Sequence, residues 1–165
     1  MIHKQSYDQI LNSIIASDSR YHRDAYHFVR EGLDYTQQTI SKQEDCIVRH
    51  ITGQELLGGM RAHALEEYGP MALMVLNEWG ISRCEDFGEI VFNMVEHDLL
   101  ARTDKDSRDD FKGGYDFEEA FRLPFLPPEL ETIEQSSANR IITPASGSEG
   151  ERSNKPVEPE ASDKQ

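Results

Sequence analysis

The chain has 165 residues, 37% hydrophobic and 29% charged, with 31 Asp and Glu against 17 Lys and Arg for a formal net charge of −14. That length holds about one domain with a real core, and the negative charge disfavours phosphate and anionic lipid as partners. The longest uninterrupted apolar run, Met71 to Leu76, is far too short for a membrane span.

Met1 to Asp18 lacks a continuous apolar core of signal-peptide length, because Asp8, Gln9, Asn12 and Ser13 interrupt it. Instead Tyr7, Ile10, Leu11, Ile14 and Ile15 form the stripe of an amphipathic helix ending near Ala16. Ala25, Phe28, Val29, Gly32, Leu33 and Thr36 repeat that stripe in a second helix, with Asp18 or Ser19 available as its N-cap. Ser41 to Ile51 reads as a loop or one short strand. Cys46 and Cys84 are isolated, as in a reduced cytoplasmic protein rather than a disulfide-stapled secreted one.

Thr52 followed by Glu55 is a capping box, stapled by Ile51 and Leu56, that opens a third helix running to Gly69. Pro70 then opens a fourth, whose Met71, Ala72, Leu73, Val75, Leu76 and Trp79 leave almost no polar face and predict the buried centre of the fold. Gly80 stops it. Ser82 with Glu85 reads as a second capping box for a fifth helix from about Arg83 to Leu100, with Cys84, Phe87, Val91, Met94 and Val95 on its apolar face. Gly113 and Gly114 mark a turn, and Asp116 to Phe121 predicts a last helical turn packing Phe117 and Phe121.

From Pro124 onward the chain is rich in Pro, Ser and Glu with hardly an aromatic residue after Phe125, a composition that cannot offset its ordering entropy. The expected organisation is a helical domain over 1–123 and a disordered acidic tail over 124–165. The domain carries 13 Lys and Arg against 23 Asp and Glu, a net of −10, so the acidity is not an effect of the tail alone.

Gly53-Gln54-Glu55-Leu56, Tyr68-Gly69-Pro70-Met71, Trp79-Gly80-Ile81, Asp86-Phe87-Gly88-Glu89-Ile90-Val91-Phe92 and Tyr115-Asp116-Phe117-Glu118-Glu119-Ala120-Phe121 resemble a small bacterial family described as restricted to verrucomicrobia and planctomycetes. The similarity covers about residues 7 to 122. The family has no assigned function, so the resemblance implies a bacterial source and neither an activity nor a catalytic residue.

The order of the fourth helix, a glycine-containing turn, the fifth helix and a turn-rich stretch over 101–115 is similar to a winged helix-turn-helix with a small hairpin as its wing. A plain all-α bundle fits the same pattern. The charge opposes direct nucleic-acid reading, because the first turns of the fifth helix offer Arg83, Glu85, Asp86 and Glu89, three negative charges to one positive. Those four residues, with Arg102 beyond the helix, are instead the candidate partner-binding set.

His63 with Glu67, His97 after Glu96, and Asp24 with His27 are the pairings that suggest metal, but no second matching His and carboxylate set completes a site. No nucleophile signature is present. Gly58-Gly59 inside a helix points to close packing, against Gly32 or Gly88, or to a kink used by a partner. Tyr68 and Trp79 read as core anchors, and Arg61 as a snorkelling side chain or a partner of Glu78 or Glu89. The sequence thus predicts an all-α, acidic, cytoplasmic, non-enzymatic protein-interaction module of about five helices, with no catalytic residue, metal or cofactor. Its protein partner and oligomeric state are unspecified, and the alternatives are a winged-helix nucleic-acid binder and a metal-dependent enzyme.

Overall fold

The computed structural model describes residues 6–43 and 49–127, and these form the all-α fold that the hydrophobic periodicity predicts. Six helices follow in order: α1 (Tyr7–Ser17), α2 (Arg23–Gln43), α3 (Gly53–Tyr68), α4 (Ala72–Glu78), α5 (Cys84–Glu96) and α6 (Phe117–Phe121), the last being the single short turn. Short 3-10 turns occupy Gly69–Met71, Arg108–Phe111 and Leu123–Phe125. Met1–Pro127 is one unit of the chain, and residues 128–165, most of the predicted tail, lie outside the described residues. No helix among the described residues is long and apolar enough to cross a membrane.

The caps show why these segments start and stop where they do. Ser6 and Gln9 exchange side-chain and backbone hydrogen bonds at the start of α1, and Thr52 and Glu55 do the same at α3, satisfying amide groups that have no intrahelical partner. The N-terminus of α2 is not held by Asp18 or Ser19; His22 Nδ1 accepts from the Asp24 N–H at 3.2 Å. At α5 the expected Ser82 and Glu85 box gives way to Asp86, whose Oδ2 accepts from the Ser82 N–H at 2.9 Å and the Arg83 N–H at 3.1 Å. The helix starts one residue later than read, so the third helical position falls on Asp86.

Both ends of the α4 and α5 pair finish in the same way. Ile81 N–H reaches Leu76 O at 2.9 Å and Gly80 N–H reaches Asn77 O at 3.0 Å, with Gly80 at φ 88°, a Schellman motif that buries Ile81 completely. After α5 the same pair of bonds runs from Leu99 to Met94 and from Asp98 to Val95, with Asp98 at φ 59° in the glycine-like position. That left-handed residue ends α5 at Glu96, short of the predicted Leu100. The predicted wing forms no strand: residues 101–116 are irregular apart from Arg108–Phe111, where Ser107 and Asp110 cap a 3-10 turn instead of pairing across a hairpin. Of the loop-or-strand stretch, residues 44–48 lie outside the described residues and 49–52 hold no strand.

The core lies where α2, α3 and α5 meet. Phe28 stands at its centre, with ring neighbours His63, Trp79, Tyr68 and Phe87 between 5.2 and 6.3 Å away. Close approach of α2 and α3 explains two glycines: a Cβ on Gly32 would overlap Met60 Sδ, and one on Gly59 would overlap Thr36 Oγ1. Gly58 faces open space. Gly88 instead accepts the ring of Phe111, whose atoms would lie 2.8 Å from an added Cβ. Phe117 and Phe121 of α6 close the far side, edge to face at 5.1 Å.

The predicted central role of the fourth helix is not realised. Only Ala72 and Leu76 of α4 are buried, while Met71 and Met74 are 51% and 58% exposed. A seven-residue helix packed on α3 and α6 at one edge of the bundle cannot cover its whole circumference, so an apolar run all round it leaves apolar side chains in solvent.

Candidate interaction surface

The predicted partner-binding residues are not gathered into one surface. Asp86 is 8% exposed and holds the fold together: besides capping α5, its Oδ1 accepts from the Tyr21 hydroxyl at 2.9 Å. Burial and that hydrogen bond push the Tyr21 hydroxyl well above its usual range. Glu89 accepts from Arg20 Nη2 at 3.1 Å and lies 3.4 Å from Arg108 Nε. Arg83 is exposed and Glu85 half-buried at one end of α5. Arg102 lies beyond the other end, its guanidinium 6.0 Å from the Phe92 ring.

Asp86 and Glu89 are occupied because the α1–α2 loop is strapped across α5. Asp18 accepts from Asn93 Nδ2 at 2.8 Å and from the Arg20 guanidinium at 2.8 Å, which holds its carboxyl far below the usual carboxylate range. His22 N–H donates to Trp79 O at 3.0 Å, and a Cβ on Gly80 would overlap the Arg20 carbonyl oxygen. In a DNA-reading helix-turn-helix the start of the second helix is free to enter a groove; here the strap covers much of it.

The cations are consumed elsewhere too. Arg23 faces Asp8, Arg49 faces Glu55, Arg108 faces Glu89 and Glu96, Lys112 faces Asp109 and Arg122 faces Glu118. Arg30 lies over Tyr7 at 4.6 Å, and Arg61 over Tyr115 at 5.9 Å rather than against Glu78 or Glu89. Of the cations near α5, Arg83 lies 3.9 Å from Asp86 and Lys112 is paired with Asp109, while Arg102 and Arg108 share the Phe92 ring.

The pairings that suggested metal separate in space. His63 points inward between Phe28 and Tyr35, with Glu31 rather than Glu67 as its nearest carboxylate, 4.0 Å from Nε2. His97 Nδ1–H donates to Asn93 O at 2.9 Å, and His27 lies against the Tyr7 ring. No group of three metal-capable side chains occurs among the described residues. The Cys84 thiol is buried between the backbone N–H and carbonyl of Tyr115, and burial raises its pKa, which suits a packed side chain and not a thiolate nucleophile.

What remains is the outer face of α4. Pro70, Leu73, Met74 and Asn77 follow the i, i+3, i+4, i+7 spacing of one helical stripe and, with Glu78, Phe121 and Arg122, line an open groove between α4 and α6. Met71 and Met74, with Phe125 on the turn after α6, are the large hydrophobic side chains that stand exposed among the described residues. The chain matches no family model, curated protein or solved structure.

Sequence reasoning missed this surface because Met71 to Leu76 has no polar member to mark an outside. The signal was the length of the segment: Gly69-Pro70 and Gly80 confine the helix to about two turns, too short to be wrapped on every side. Tyr68 and Trp79, read as core anchors, are half-buried and pack edge to face at 5.7 Å at the inner border of α4.

Proposed function

We propose that the chain is a non-enzymatic interaction module whose α4 face takes an amphipathic segment with Lys or Arg flanking its apolar side. The observation that carries the proposal is the exposure of Met71, on the turn before α4, and of Met74, on α4 itself, at an edge of the bundle where only Ala72 and Leu76 of that helix are buried. Methionine side chains are flexible and polarizable, and they adapt to the irregular apolar surface of a partner helix. Glu78 and Arg122 both line the groove, and the chain's net charge of −14 supplies a general attraction for basic flanks. The predicted cytoplasmic setting and membership of the verrucomicrobial and planctomycete family belong to the same proposal. The motifs that support that membership occupy helix starts, turns and core rather than a shared site.

Selection of a displayed random-peptide library on the full chain tests the reading. Enriched peptides should combine apolar residues at helical spacing with Lys or Arg, and Met71→Ser with Met74→Ser should abolish their retention. Enrichment of acidic peptides, or retention unchanged by the two substitutions, would refute it. The nucleic-acid alternative keeps only the order helix, turn, helix in its support. It expects steeply salt-dependent binding to DNA or RNA, and absence of binding at low salt removes it.

A further inference from the structure

Where α2, α5 and the start of α3 meet, the segment after α5 roofs a cleft. Its walls are Val29 and Leu33 of α2, Ile51 and Leu56 around the start of α3, and Val91 and Val95 of α5. The cleft encloses about 80 Å³, comparable to about two or three waters or a branched group of three to four carbons. Water held there would meet mainly aliphatic side chains. The cleft is partly open, and an apolar group seated against these walls displaces water that has few hydrogen-bonding partners there.

The rim is polar, and its groups differ in what they have left to offer. Asp106 accepts at Oδ1 from His50 Nε2 at 2.7 Å and at Oδ2 from the Thr103 N–H at 2.6 Å, which together outweigh burial and lower its pKa. Asp110 Oδ2 accepts from the Ser107 N–H at 2.8 Å, and its carbonyl accepts from Gln54. Both rim carboxylates thus already receive donors from the chain itself. Arg102 is the opposite case: it is exposed, it lies over Phe92, and among the described residues no carboxylate is within ion-pair distance of it. Arg108 over the same ring, at 4.9 Å, is held by Glu89 and Glu96. The rim therefore combines satisfied acceptors with one guanidinium whose forked donors remain available, matching a planar carboxylate.

We propose that this cleft binds a small branched aliphatic carboxylate, its hydrocarbon end against Val91 and Val95 and its carboxylate on Arg102. The site is separate from the α4 face and does not depend on the interaction reading.

Isothermal titration of the full chain tests it with 3-methylbutanoate, and with 3-methylbutylamine and 3-methylbutanol as probes of the same carbon skeleton. The acid should bind saturably and about tenfold more tightly than the amine or the alcohol, and Arg102→Gln should remove about that tenfold. Val95→Phe, which fills the cleft, should abolish binding, with circular dichroism as the check that it folds. If it does not fold, the exposed Arg102→Gln substitution alone decides. Met71→Ser with Met74→Ser should leave the acid's affinity unchanged, so this proposal and the α4 reading fail separately. Absence of saturable binding, equal or tighter binding of amine or alcohol, or an acid affinity unaffected by Arg102→Gln would overturn the assignment.

Discussion

Replacing Gly58 with Ala should raise the melting temperature, and replacing Gly59, the next residue of the same helix, should lower it. An Ala Cβ at position 58 meets nothing within 4 Å, so the helix gains only the conformational preference of Ala over Gly, about 1 kcal/mol. For a domain of this size that is about 3–6 °C. At position 59 the added atom overlaps Thr36 Oγ1 and lies 2.7 Å from Thr36 Cβ and 2.9 Å from Cγ2, so no rotation of that side chain clears the space. The two helices must separate, at an overpacking cost of about 1–3 kcal/mol, which after the same gain in preference leaves a net loss of up to about 2 kcal/mol. Thermal unfolding followed by circular dichroism, with urea midpoints, measures both. Thr36→Ala in the Gly59→Ala background removes two of the crowding atoms and should give a coupling above about 1 kcal/mol in a double-mutant cycle. Equal shifts for the two alanines, or no rescue by Thr36→Ala, would refute the packing argument.

Asp86→Asn should cost about 2–3 kcal/mol in urea unfolding, because one buried carboxylate caps α5 and receives the Tyr21 hydroxyl; Glu85→Gln, one residue away, should stay within about 0.5 kcal/mol. Asp98→Gly should stabilise by about 0.5–1 kcal/mol, since Asp98 holds φ 59° after α5 where glycine is unstrained; an unchanged midpoint would count against that strain. In acid, Glu55 is held at about 2 by Arg49 and by the Thr52 N–H, below its ordinary 4.5. Its contribution is present above about pH 4.5 and lost as pH falls towards 2. Glu55→Gln should flatten that part of a stability profile. In alkali the sign reverses: burial raises Cys84 and Tyr115 above their ordinary 9.0 and 10.0. They stay protonated in the fold while the unfolded chain ionises, so stability should fall above about pH 9.

The helices were legible where a local rule has one reading. Thr52 and Glu55 announce α3 because both halves of the capping box lie within four residues, and Gly80 announces the end of α4 because a left-handed residue is needed there. Asp86 was misread because Glu85 and Asp86 compete for the same role at adjacent positions. The choice depends on Tyr21, 65 residues away, whose hydroxyl fixes the buried carboxylate. Arg20 and Glu89 are hidden for the same reason, since the strap that joins them is a tertiary contact without periodicity. Over 101–116, two glycines and alternating charges resemble a hairpin, but Ser107 and Asp110 satisfy each other's backbone locally and Phe111 anchors on Gly88. The exposed face of α4 followed from how many neighbours a two-turn helix has, which hydrophobic patterning does not encode.

The most direct test uses the methionine methyl groups. The chain has five methionines, of which Met60 and Met94 are fully buried and Met71 and Met74 exposed. With methyl-13C methionine in the full chain, titration with a basic amphipathic helical peptide should shift the Met71 and Met74 resonances in a saturable way and leave Met60 and Met94 in place. Saturable binding with Met71 and Met74 unmoved, or no binding of such a peptide at all, would contradict the assignment of the α4 face as the interaction surface.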